Sequence, residues 1–168
     1  MTENKLDTSR ATEAIKDARF VDALSLLESN LAKDPNHIDS LYLAAVSSRY
    51  LKNYDDAKKY IQSLLTQAPD MGRAYQELGH LNRDIGNQEN SIAHYRQACE
   101  LNPALLSSWK ALYDYFRTGN NKPAADHAFM QMNTLQSIPS VLLYISQILN
   151  EGKLGLSLIH ISEPTRPY

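Results

Sequence analysis

Apolar residues return along this chain at i, i+3, i+4 and i+7, the spacing that gathers them on one side of an α-helix. Leu41, Ala44, Ala45 and Ser48 form one such face; the same positions return as Tyr75, Leu78, Gly79 and Asn82, then as Trp109, Leu112, Tyr113 and Phe116. A second kind of helix follows each of these, carrying Ala57, Ile61 and Leu64 in one copy and Ala125, Phe129 and Met132 in another. Down the chain the second helices give a column of small residues (Ala23, Ala57, Ser91, Ala125) and a column of large ones (Leu27, Ile61, Tyr95, Phe129). Pro35, Pro69 and Pro103 keep the same step of 34 residues. A fixed period of this length is the mark of stacked helix-turn-helix units, each unable to bury its apolar face alone. Asp34, Ala68 and Asn102 precede the prolines and so resist the helical region, which ends each second helix. Lys52-Asn53, Gly86-Asn87 and Gly119-Asn120 fall between the two helices of a unit, where Gly and Asn can take the left-handed conformation that closes a helix.

The period divides the chain into all-α units at 4–37, 38–71, 72–105 and 106–139. The beat then slips: the proline expected at Ser137 arrives as Pro139. A fifth first helix is expected at about Ser140 to Asn150, the start of an incomplete repeat over 140–154 that packs on the fourth unit through Leu142, Ile145 and Leu149.

Charge and composition narrow the picture. Lys and Arg number 17 against 19 Asp and Glu, so there is no global basic field of the kind non-specific nucleic-acid binding needs. The single cysteine, Cys99, cannot form an internal disulfide, and the polar start MTENKLDTSR lacks the apolar stretch of a signal peptide. A cytoplasmic, reducing location is expected, and no membrane span. The five histidines have no partners at metal-ligand spacing, and no HExxH, CxxC or Gly-rich phosphate loop is present. No catalytic residue, cofactor or metal is therefore expected, and Cys99 reads as a small packed thiol.

The third unit, with Tyr75, Leu78-Gly79, Gly86, Tyr95, Ala98 and Pro103, resembles the tetratricopeptide repeat: an aromatic and a Leu-Gly pair in the first helix, a small residue in the second and a closing proline. The first unit matches through Phe20, Ala23, Leu27 and Pro35, while Asn82 and Asn30 occupy columns where that family prefers apolar or small residues. The resemblance implies a right-handed α-solenoid of about four repeats plus a partial fifth, with the first helices lining a concave groove that binds a protein or peptide segment. The lysine and asparagine set by which some members clamp chaperone tails is not evident; the first unit offers Thr8 and Thr12.

Arg49, Arg83 and Arg117 share the 34-residue step. Each follows a core-column residue by one position and so lies about 100° round the first helix from the core. Equivalent helices stack roughly 10 Å apart, near enough for an extended acidic segment to meet several guanidinium groups. Tyr42, Gln76, His80, Lys110 and Asp114 would share that face. The alternative is that the arginine stems lie over neighbouring side chains and the heads stay in water, with no ligand.

Two further resemblances concern what lies beyond the array. The stretches 74–87, 94–112 and 148–154 are similar to the N-terminal repeats of bacterial sulfotransferase-family proteins, which implies a parent enzyme that uses the donor PAPS and a catalytic domain lacking here. Residues 156–166, LSLIHISEPTR, resemble the translation of a transposon-end sequencing adapter, so 155–168 is expected to be a disordered, non-native tail. The readings are then a peptide-binding module, the substrate-recruiting part of a larger enzyme, or an assembly scaffold without a groove ligand. The oligomeric state stays open.

Overall fold

The computed structural model describes residues 7–137. Among these are eight α-helices and no strand: α1 (Ser9–Lys16), α2 (Phe20–Lys33), α3 (Ile38–Tyr50), α4 (Tyr54–Gln67), α5 (Gly72–Asp84), α6 (Gln88–Leu101), α7 (Leu106–Thr118) and α8 (Lys122–Ser137). The fold is an all-α repeat solenoid. The helices group into two compact bodies, α1–α4 and α5–α8, each built from consecutive helices that pack on one another through short connections. The expected fifth helix and the adapter-like tail lie outside the described residues.

Four connections share one backbone device. The second residue past α1, α3, α5 and α7 is left-handed: Ala18 (φ 57°), Lys52 (63°), Gly86 (81°) and Asn120 (54°), again 34 residues apart. The next N–H in each case reaches back five residues: Arg19 to the Ala14 carbonyl, Asn53 to Ser48 and Asn87 to Asn82, each at 2.8 Å, and Asn121 to Phe116 at 2.9 Å. This is the six-to-one bond of a Schellman closure, which satisfies carbonyls the helix end would leave open. In the fourth unit the left-handed role falls on Asn120, while Gly119 has a φ of −83°. Ala18 and Lys52 take a conformation that costs a residue with a Cβ about 1 kcal/mol or more. Ala18→Gly and Lys52→Gly are therefore expected to raise stability by up to about 1 kcal/mol each. Gly86→Ala should lower it by a like amount, through the backbone alone, since nothing stands within 4 Å of the added Cβ. Urea midpoints of the three variants check the signs.

The other ends of the second helices follow the prolines. Asp34, Ala68 and Asn102 leave the helical region with φ values of −139°, −138° and −141°, as a residue before proline must.

In the α1–α4 body the core runs through Ala11, Ile15, Ala23, Leu27, Leu43, Ala44, Ile61 and Leu64. Ala23 and Ala57 are wholly buried, so the small column marks where helices approach most closely. Phe20 stacks flat on Tyr50, with ring centroids 4.5 Å apart. In the α5–α8 body the core gathers Ile92, Tyr95, Cys99, Leu112, Phe116, Ala125 and Ala128, flanked by Trp109 and Tyr113. One core expectation fails. Leu27, Ile61 and Tyr95 are buried, but Phe129 in the same column keeps 46% of its surface exposed. Its ring lies against Tyr113, 5.6 Å between centroids, so it covers the edge of α7 instead of entering the core.

Candidate functional site

The residues expected to line the groove divide by environment. Tyr42 and Arg49, on α3, are buried, as is every residue from Asp39 to Arg49. The Arg49 guanidinium lies over the Tyr50 ring, 4.5 Å from its centroid. Helix α3 has apolar or small residues on every side, IDSLYLAAVSSRY, and a helix of that kind is buried all round.

On α5, His80 is buried and its Nδ1 lies 2.6 Å from the Tyr95 hydroxyl, with the two rings edge to face. This contact ties the first helix of the third repeat to the second, and it gives His80 a packing role. Half-buried Gln76 accepts a 2.9 Å hydrogen bond from the Ser108 hydroxyl of α7, linking successive first helices. Arg83 is exposed, its Nε 3.7 Å from the Asp84 carboxylate. Lys110, Asp114 and Arg117, on α7, are all exposed. The Arg117 guanidinium lies 5.8 Å from the centroid of the Tyr113 ring, one turn back on the helix.

Arg83 and Asp114 are brought together as walls of a cavity of about 290 Å³, which Gln88, Tyr115 and Thr118 also line. Within the α5–α8 body the exposed candidates are thus Arg83, Lys110, Asp114 and Arg117: three cations and one carboxylate on two successive first helices. Such a surface can meet carboxylates with charge-assisted hydrogen bonds, through planar forks at the arginines and a mobile point charge at Lys110.

Two histidines show roles that spacing did not reveal. The ring of His37 caps α3, its Nδ1 accepting from the Ser40 N–H at 3.3 Å and meeting the Ser40 hydroxyl at 2.8 Å. His94 is half-buried and its pKa is lowered, chiefly by loss of solvation. Among the described residues no group of three or more His, Cys, Asp or Glu could hold a metal ion, and no helix is long and apolar enough to cross a membrane. Burial pushes the Cys99 thiol up to about 12, so at pH 8 almost none of it is the reactive thiolate. Ellman's reagent at that pH should leave Cys99 unmodified in the native protein and titrate one thiol in urea.

Residues 14–81 match one family model described as the tetratricopeptide repeat, and residues 72–105 match another of the same description. Residues 14–105 are tetratricopeptide repeats. Solved structures share its fold: residues 41 to the end of MamA from Desulfovibrio magneticus RS-1 superpose with a TM-score of 0.63 at 20% identity, covering 79% of this chain and 77% of that one. Another MamA crystal structure gives 0.61 at 19% identity, over 82% and 80% of the two chains. At such identities the likeness establishes the shared tetratricopeptide solenoid and nothing finer. No curated relative matches the sequence. Arrays of helical repeats of this kind are scaffolds of the type that binds protein partners.

Proposed function

We propose that this tetratricopeptide array binds an extended, acidic protein segment along its first helices, with Arg83 and Arg117 as the principal contacts and Lys110 beside them. The observation that carries the reading is that these two arginines, one repeat apart on α5 and α7, are both exposed, on the helices that carry the repeat's first-helix face. Gln76 and Asp114 supply hydrogen-bonding groups for the segment's backbone, and the buried His80 packs within α5, which presents part of the surface; Tyr42 and Arg49 are buried on α3 and take no part. Exposed cations act mainly through long-range attraction, so the affinity should fall steeply with salt. A fluorescein-labelled peptide rich in Glu, followed by polarisation, should bind in low salt and weaken roughly tenfold or more in the Arg83→Ala/Arg117→Ala variant, as expected for the loss of two charge-assisted contacts. Equal affinity for the variant would sink the assignment. Adding Arg49→Ala should then change little.

A second reading keeps the support of the three sulfotransferase-like stretches: the array recruits the acceptor substrate for a PAPS-dependent transferase domain elsewhere in a longer cytoplasmic protein. Residues 155–168 would on that reading stand where native sequence continues. Assay of the complete gene product for sulfuryl transfer from PAPS decides it, and a product made only of further repeats removes it.

A further inference from the structure

A second cavity, of about 440 Å³, lies among α6, α7 and α8. Its walls are mainly apolar, with Trp109, Leu112, Phe116 and Ala128 among them, and Arg96 and Glu100 supply charge. The volume is within the range of small-ligand sites. The repeat period explains why it is there. Two repeats earlier, 68 positions back, the matching residues belong to α2, α3 and α4. In that interface Tyr60 of α4 reaches α2, its hydroxyl donating to Glu28 at 3.3 Å. The counterpart of Tyr60 is Ala128, and that of Glu28 is Arg96. The one side chain seen to bridge the earlier interface is thus reduced to a methyl group. The anion that meets the tyrosine hydroxyl becomes a cation.

Arg96 is exposed and lies over Phe116, its guanidinium carbon 5.1 Å from the ring centroid. No ion pair among the described residues engages it. Trp109 is held as a wall by its indole N–H, which donates to the Pro103 carbonyl at 2.9 Å, and by an edge contact with His127, 5.5 Å between centroids.

We propose that this cavity binds an apolar monocarboxylate, its hydrocarbon body seated among Trp109, Leu112, Phe116 and Ala128 and its carboxylate met by Arg96. The body occupies the place that the Tyr60 ring takes two repeats earlier. Glu100 sets the charge limit, since a second anionic group on the ligand would face it. A free aryl acid and the C-terminal residue of a peptide ending in Phe present the same chemistry, and binding measurements separate them. The site shares no residue with the Arg83 and Arg117 surface, so the two assignments stand or fall independently.

Trp109 is the only tryptophan, and its fluorescence reads the cavity directly. Titration with 3-phenylpropionate, and with acetyl-Gly-Phe as free acid and as amide, should give a saturable change for the acids and a much weaker one for the amide. A response to 3-phenylpropionate alone assigns a free acid, and tighter binding of the peptide acid assigns a chain terminus; either sustains the site. Arg96→Gln, a surface change, should weaken binding roughly tenfold or more. Ala128→Tyr, which restores the side chain of the earlier interface, should abolish it, with circular dichroism confirming the fold. Arg83→Ala/Arg117→Ala should bind the acids as the parent does. No saturable change at millimolar acid, equal binding of acid and amide, or an unaltered affinity in Arg96→Gln would overturn the proposal.

Discussion

Tyr95→Ala is expected to destabilise the α5–α8 body by about 3–5 kcal/mol, the cost of emptying a large aromatic site in a packed core. Tyr95 is among the largest fully buried side chains, and its position decides three contacts at once. The ring fills the space over Gly79, its hydroxyl meets His80 Nδ1 at 2.6 Å, and it belongs to the same cluster as Ile92, Cys99, Leu112 and Phe116. A loss of this size approaches the whole stability of many domains, so the variant should unfold at far lower urea. Trp109 fluorescence reports this body locally. Tyr95→Phe keeps the packing and removes only the hydroxyl, and should cost about 1 kcal/mol. Equal losses for the two variants would mean that the hydrogen bond, not the ring, holds the site.

The second large effect comes from the glycine beneath that ring. A Cβ at Gly79 would stand 2.6 Å from Tyr95 Cδ1 and Cε1 and 3.0 Å from Cγ, and a buried ring cannot move away without disturbing its neighbours. Gly79→Ala gains roughly 1 kcal/mol of helix propensity but should still lower stability, because overpacking of this kind costs typically about 1–3 kcal/mol. Gly79→Leu should do so by more. The cause can be isolated by a cycle: in a Tyr95→Leu background the ring is gone, and Gly79→Ala should become neutral or stabilising. The same penalty in both backgrounds would exonerate the ring. Gly79 is therefore the half of the Leu-Gly pair that lets the two helices of the third repeat close.

Much of the fold was legible because the repeat writes the same physics several times. Pro35, Pro69 and Pro103 marked where second helices stop, and the residues before them are extended as expected. The small column was also a reliable guide, since Ala23, Ala57, Ser91 and Ala125 are all buried. Other features depend on context that one residue cannot carry. Nothing in an alanine signals a left-handed backbone; Ala18 adopts it because the closure between α1 and α2 has the geometry that Gly86 meets without strain. Phe129 shares a column with Tyr95, yet it rests on the edge of α7, which periodicity alone could not distinguish from the core. The burial of Tyr42 and Arg49 was readable in principle, because α3 has no polar face on which to carry them. His80 shows the opposite limit: its partner Tyr95 is fixed by the pairing of α5 with α6, and sequence spacing did not indicate the bond.

The functional surface was legible only as a step of 34 residues. That step identified Arg83 and Arg117, and the structure adds that both are exposed on α5 and α7 while Arg49 is buried on α3. The cavity beside Ala128 was missed because its signal is an absence, an alanine where an earlier repeat carries Tyr60. Comparing each column for lost volume would have found it.

If the first helices of the α5–α8 body bind an acidic protein segment, the contact must fall on their exposed cations. Chemical-shift mapping of the labelled protein with the Glu-rich peptide tests it most directly. Perturbations should centre on Arg83, Lys110, Asp114 and Arg117 and be lost in the Arg83→Ala/Arg117→Ala variant. Perturbations confined to the second helices α6 and α8, or none at all at low salt, would contradict it.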